Sequence, residues 1–470
     1  MAMRIGRWIG AGVLAAVVAG AVVLRPDLAA RTGAGVAAHN MCAAVFTAGL
    51  DPEATFHELV QPLVGKPFGD MLRYTVDRPG ANVDTTLGHL VHARAHYTPG
   101  YGCRLEYPGS APAPAPVTSA AAPASADAFA PATPVVTDNA EIAAAIEQVF
   151  AEHAAPKRVK AVVVVKEGRV IAERYAPGFG VDTPLLSYSV AKSFTNALLG
   201  VLVREGKLRA DQPIGAPEWA GDDDPRGKLT FEDLLRMRSG LDAVENGTGF
   251  DPASWMLFVH DDMAGFAARH KLKRPPGAAW EYTSANTLII DRALGQVVGG
   301  GASGMRAFAG REVFDPLGMT HVTMEFDGKG VFVGSAHVYA PARAFARFGL
   351  LYLNDGVAPD GTRILPDGWV AWSRRSTLGS GYGAGFWTND GPSEDAAWRV
   401  AHGFPRDGFH ASGNLGQRIY IIPSERLVIT RFGYSTPPAF GMGDDVALIA
   451  AVIKATHGPP PVTSPSKGVH

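Results

Sequence analysis

The stretch SYSVAKSFTN, residues 187–196, sets four aliphatic hydroxyls and one lysine where an amphipathic helix should begin. Ser189 and Lys192 form an S-x-x-K, and residues three apart lie on one helix face about one turn apart. Two readings compete: a capping serine with a solvated lysine, or a nucleophile with its base. A serine hydroxyl is a weak nucleophile at neutral pH and needs an adjacent base. A lysine serves as that base only if desolvation or a cationic neighbour depresses its pKa. A helix N-terminus adds N–H groups and a positive dipole end that favour developing negative charge. The sequence that follows, SFTNALLGVLVREGKL, is a strongly apolar helix closing at Gly206. Lys192 therefore falls in the first turns of a mostly buried helix, where a solvated cation is out of place.

Working outward, PPGAAWEYTSANTLI places Tyr282 between a Pro-Gly turn and another apolar helix, with Ser284 two residues on. A tyrosine hydroxyl beside a lysine can relay a proton from nucleophile to leaving group; a core aromatic at a loop edge is the plainer role. VKAVVVVKEGRVIAERYA reads as two strands joined at Glu167-Gly168, preceded by a helix capped by Thr137 or Asp138. QRIYIIP and RLVITRFGY flank Pro423-Ser424-Glu425 as a second hairpin, followed by a helix from about Asp444 to Ala455. Hairpins at both ends of a largely helical middle predict a mixed α/β (α+β) fold. An antiparallel sheet is built from N- and C-terminal segments and flanked by helices, with a largely helical inserted lobe and a cleft between lobes.

Together these segments resemble the serine β-lactamase/penicillin-binding-protein-like superfamily, in its class C, esterase and D,D-peptidase branch, over about residues 137–457. LTFEDLLRMRSGL, GSAHVYAPARAFARFGLLYLNDG and GQRIYIIPSERLVITRFG occur in the family's order beside the stretches above. The resemblance implies Ser189 as acylated nucleophile, Lys192 as base and Tyr282 as proton shuttle. It also implies an oxyanion site made by the Ser189 N–H and one N–H from the strand near Ala411 to Gly413. Tyr282 is followed at the second position by Ser284, where β-lactamases and peptidases usually have Asn. GFHASGNLGQ offers His410, Ser412 and Gly413 as substrate-binding residues but no lysine of the Lys-Thr-Gly type. Both departures look closer to the 6-aminohexanoate-dimer hydrolase and carboxylesterase group. The insertion NGTGFDPASWMLFVHDD is expected to shape an acyl pocket, apolar if Trp255, Met256 and Phe258 face inward; these three serve equally as lobe core.

The 470-residue chain carries a formal charge of -2, which gives no electrostatic footprint for nucleic acid. Arg4 and Arg7 precede an uncharged apolar run from Trp8 to Leu24, an export signal read either as cleaved, at Ala19-Gly20-Ala21 or Ala29-Ala30, or as a retained membrane anchor. The expected location is periplasmic or otherwise extracytoplasmic, where the two cysteines, Cys42 and Cys103, would form a disulfide. The expected organisation is residues 1–30 as signal or anchor, 31–109 as a small cysteine-containing module, 110–134 as a Pro/Ala/Ser-rich linker, 135–457 as the hydrolase domain and 458–470 as a disordered tail. HLVHARAH puts His89, His92 and His96 on one face if helical, a solvated histidine face rather than a metal site. The function expected is an extracytoplasmic serine hydrolase acting through an acyl-enzyme on a small ester or amide, with no metal or cofactor. The rivals are a β-lactamase or D,D-peptidase, and a non-catalytic sensor on the same fold.

Overall fold

Val162–Val165 form the middle of strand β5 (Val159–Lys166), and a run of β-branched residues this continuous implies a strand covered on both faces. A computed structural model describes residues 25–110, 112–117, 129–151, 157–436 and 441–457, and shows that arrangement. β5 pairs with β6 (Arg169–Tyr175) through a turn in which both Glu167 and Gly168 have positive φ, the geometry of a tight hairpin. On its other side β5 pairs antiparallel with β10 (Leu427–Gly433), the last strand among the described residues. The full sheet continues through β9 (Gln417–Ile422) and β8 (Phe409–Gly413) to the short β7 (Trp387–Thr388), in the order β7-β8-β9-β10-β5-β6. The sheet is thus closed across the whole insertion by one strand pair from the two ends.

Side chains alternate across it. Val162 and Val164 face helices α2 (Ala140–Phe150) and α7 (Gly443–Thr456). Ala161, Val163 and Val165 face the inserted lobe through α3 (Ala191–Arg204) and α6 (Ala342–Leu353). The α2 cap is Asn139, whose side chain accepts from the Glu141 and Ile142 amides, one to two residues beyond the expected Thr137 or Asp138. α3 is buried on nearly every face, the pattern of a central helix.

The N-terminal region differs from expectation in three respects. Helix α1 (Pro26–Cys42) runs straight through the expected boundary at residue 30, so Ala29-Ala30 lies inside a helix of the module. His92 and His96 lie on a strand, β3 (Val91–Thr98), and exposed His89 precedes it. β3 belongs to an antiparallel sheet with β1 (Leu72–Asp77), β2 (Asn82–Leu87) and β4 (Gly102–Leu105), and α1 packs on that sheet. The period-two alternation of Val91, Ala93 and Ala95 with His92, Arg94 and His96 won over the helical histidine spacing. Third, the expected linker is tied down where it is described: the Val117 amide donates to Pro99 O (3.0 Å), and Phe129 is buried in the main core. Residues 1–24 and 458–470, read as export segment and tail, lie outside the described residues. Among the described residues no helix is long and apolar enough to cross a membrane.

The module shares its core with the rest of the protein, since Leu186, Tyr188, Tyr339 and Leu415 pack among Ala34, Ala37, Met41 and Leu72. α1 crosses helix α4 (Pro252–Val259) so closely that a Cβ on Gly35 would sit 2.6 Å from the Phe258 carbonyl oxygen. The C-terminus of α1 is fastened to β4 by a disulfide between Cys42 and Cys103, 61 residues apart. Loop-closure entropy for a ring of that length corresponds to about 4 kcal/mol. Replacing both cysteines by serine should lower the unfolding free energy by about this amount in a guanidinium titration. An unchanged midpoint would show that the bridge adds nothing to the fold.

Candidate active site

The turn that opens α3 is held from behind. The Ser187 amide donates to Val338 O (2.8 Å), and the Ser187 hydroxyl accepts from the Val338 amide (3.1 Å). Tyr188 then adopts a left-handed conformation, φ +44°, which costs a bulky residue about 1–3 kcal/mol. Its ring is buried and its hydroxyl donates to Asn40 Oδ1 of α1 (3.3 Å), so the module helps to hold the strained residue beside Ser189. Ser189 follows on a short 3-10 turn, Tyr188–Val190, and lines a cavity of about 770 Å³.

Lys192 is buried beneath that cavity with its Nζ 3.0 Å from Ser189 Oγ, 2.9 Å from Ser284 Oγ and 2.9 Å from Ser335 O. The carbonyl only accepts, so it holds one N–H of the amine whatever the protonation state. A neutral amine then has a lone pair to receive the Ser189 proton. Burial pushes Lys192 down from its ordinary value to about 8, against the opposing fields of Glu245 and Asp291. At pH 7 this raises the neutral fraction roughly 300-fold over an ordinary lysine. Tyr282 lies with its ring centroid 4.8 Å from Lys192 Nζ and lines the same cavity as Ser189. Burial holds the phenol well above its usual range, helped by Tyr382 and Glu245, so it stays protonated. Its ring is wedged against Trp387 (5.9 Å between centroids) and Tyr382 (5.7 Å, edge-on).

The structure therefore brings Ser189, Lys192, Tyr282 and Ser284 together, with Ser412 and Gly413 on the cavity wall. At Gly413 a Cβ would collide with the Ser187 carbonyl oxygen and lie 3.1 Å from the Ser189 amide, so the end of β8 can approach the Ser189 turn only as glycine. Of the other hydroxyls near the opening turn, Ser193 donates to Gly385 O (2.7 Å) and Thr195 to Asp291 (2.7 Å), both packing roles. His410 is not brought to the site. It lies on β8 against Phe404 and Tyr420, on the far side of the sheet, and burial keeps it neutral. In the insertion, Leu257 and Phe258 face the cavity, whereas Met256 is core and Trp255 donates to Gly249 O (2.9 Å).

Sequence reading missed three residues. Glu245 lines the cavity, accepts from the Ser284 amide and raises the proton affinity of both Lys192 and Tyr282. Ser335 acts through its carbonyl, and Arg418 lines the cavity while donating to Gly413 O (3.0 Å). Ser335 and Arg418 fall inside the segments GSAHVYAPARAFARFGLLYLNDG and GQRIYIIPSERLVITRFG, but a backbone carbonyl and a strand arginine carry no spacing signal, and Glu245 lies in no such segment. Among the described residues one buried group, His39, Glu325 and His337, has a donor set suited to a metal. The two imidazoles stack at 4.1 Å and 20°, each with a ring nitrogen within 3.5 Å of Glu325 Oε2. Glu325 hydrogen-bonds His39 (2.6 Å) and the Cys103 amide (2.7 Å), a strut between module and body.

A buried lysine under a cleft serine, at the start of a central helix beside an antiparallel sheet, is the arrangement expected from the S-x-x-K motif. The family model described as Beta-lactamase matches residues 142–453, and the chain belongs to that family. It is 28% identical over 296 residues to the 6-aminohexanoate-dimer hydrolase of Paenarthrobacter ureafaciens, covering 58% of this chain and 71% of that one. Penicillin-binding protein 4 of Amycolatopsis lactamdurans is 26% identical over 300 residues, covering 54% and 74%. A Bacillus anthracis structure, provisionally assigned as a 6-aminohexanoate-dimer hydrolase, superposes with a TM-score of 0.55 at 21% identity, over 64% of this chain and 80% of that one. This last likeness shows the fold.

Replacing Glu245 by Gln keeps an acceptor for the Ser284 amide and removes the charge that favours protonated Lys192. Lys192 should then titrate below about 8, read from its side-chain nitrogen resonance. An upward shift, or none, would remove Glu245 from the electrostatics of the site.

Proposed function

We propose that the protein hydrolyses esters or unstrained amides through an acyl-enzyme on Ser189. The observation that carries this is the hydrogen bond between the Ser189 hydroxyl and a buried Lys192 whose pKa lies near 8. In this reading Ser189 Oγ attacks the substrate carbonyl and its proton passes to neutral Lys192. The Ser189 N–H and an N–H at the Ser412–Gly413 end of β8 hold the oxyanion. The proton reaches the leaving group through Tyr282, which lines the same cavity beside Lys192. A water then attacks the ester bond to Ser189 by the reverse path and releases the acid. The relation to a 6-aminohexanoate-dimer hydrolase supports an amide or ester substrate.

One observation favours a rival: Arg418 on the cavity wall offers a cation for a substrate carboxylate, as peptide or β-lactam substrates would need, and one relative is a penicillin-binding protein. Ser284 in place of Asn, and the absence of a lysine in GFHASGNLGQ, weigh against it. We also place the enzyme outside the cytoplasm, a reading supported by the basic-then-apolar N-terminus and by the disulfide.

p-Nitrophenyl acetate should be turned over faster than nitrocefin. Ser189→Ala should reduce ester turnover to background, and Lys192→Met should lower kcat/KM about 10²–10⁴-fold. Fast nitrocefin hydrolysis with inert esters would reverse the order of the two readings.

A further inference from the structure

The cavity above Ser189 is not made by the hydrolase body alone. Ala29, Ala30, Gly33 and Val36 of α1 form part of its wall, and Leu63 and Phe68 extend it. The spacing of the α1 positions puts them on one helix face. Their small size keeps this wall recessed: a Cβ on Gly33 would already touch Val64 and Leu87, at 3.6 and 3.8 Å. The opposite wall carries Leu257, Phe258, Trp387 and Leu415. The fully charged side chains in the whole lining are Glu245 and Arg418, neither of them from the module. Phe68 and Phe250, which also line the cavity, are 46% and 44% exposed, so large apolar side chains stand at its mouth beside the exposed Asn246, Thr248 and Asn414. The wall is firmly mounted, through the disulfide at the end of α1, the contact of Gly35 with Phe258 and the bond from Tyr188 to Asn40.

We infer that the module is a specificity wall and that the substrate carries a long, uncharged hydrocarbon arm, which lies between α1 and the Leu257–Phe258 edge with the scissile carbonyl at Ser189. The inference deepens the proposed ester or amide hydrolysis and rests on it for the reacting bond, but not for the binding of the arm. A channel with small residues on one side and large apolar ones on the other suits a flexible methylene chain. Each methylene moved from water into such a wall is worth about fourfold in affinity or in kcat/KM. Acyl and alcohol arms share this chemistry, and they are distinguished by which substrate series responds.

Two ester series test it on the full chain: p-nitrophenyl esters from acetate to decanoate, and acetates of ethanol to decanol. In one series kcat/KM should rise by at least a hundredfold from shortest to longest. Ala30→Trp, which fills the channel from the module side, should cut the long-to-short ratio at least tenfold, and Gly33→Leu should do the same should Ala30→Trp fail to fold. A flat or falling dependence in both series, with short esters turned over, overturns the wall and leaves the hydrolase intact. Binding to Ser189→Ala separates the two ideas without chemistry, because decanamide should bind at least tenfold more tightly than hexanamide in calorimetry. Equal affinities overturn the inference, whereas tight decanamide binding by an enzyme inert to every ester supports the wall and rejects the hydrolase.

Discussion

The contact on which the site depends is the buried amine of Lys192, held by Ser189, Ser284 and the Ser335 carbonyl. A lysine taken from water at this depth loses proton affinity worth about 3 kcal/mol, from 10.5 to about 8. In the proposed mechanism that loss lets it act as a base for serine. The fold supplies the burial: α3 is covered by the sheet on one side and by the helical lobe around Ser284 on the other. The sheet in turn is complete only when β10 from the C-terminal end pairs with β5. Chain-end pairing, core helix and pKa therefore form one chain of dependence.

Around that contact the structure places opposing fields. Glu245 and Asp291 favour protonated lysine, and desolvation favours the neutral form and outweighs them. Tyr282 experiences the same burial with the opposite sign, because its charged form is the deprotonated one. A neutral phenol and a partly neutral amine on either side of one hydroxyl are the two states a proton relay needs. The strained Tyr188 adds the third element, turning Ser189 toward the cavity while its own ring anchors in the module core.

Much of this was legible in the sequence. The S-x-x-K spacing places Ser189 and Lys192 on one turn, and the apolar helix after them predicts burial. The valine run and the two hairpin turns predict a covered antiparallel sheet. The module was not legible, for identifiable reasons. α1 is rich in Ala and Gly, and its small residues are buried against several partners at once, so no clean amphipathic stripe marks it. Its start also abuts an apolar run that invites a boundary at residue 30. The histidines of β3 matched a helical spacing by coincidence, and the alternating small apolar residues between them held the better signal. His410 has site-like chemistry, but strand parity turns it toward Phe404 and Tyr420. Glu245 and Arg418 reach the cavity through tertiary placement alone, which a linear pattern does not encode.

The module thus changes from an appendage to a wall of the site, and it supports the nucleophile turn through Asn40 as well. The central claim is that Ser189 is activated by a lysine that is partly neutral near physiological pH. It is tested most directly by the rate of covalent trapping with a fluorophosphonate as a function of pH, with the adduct located by mass spectrometry. The account predicts a single adduct on Ser189 whose rate of formation rises with pH and levels off above about 8, the value to which burial brings Lys192. An adduct elsewhere, or a rate that keeps rising to the range of an ordinary lysine, would contradict it.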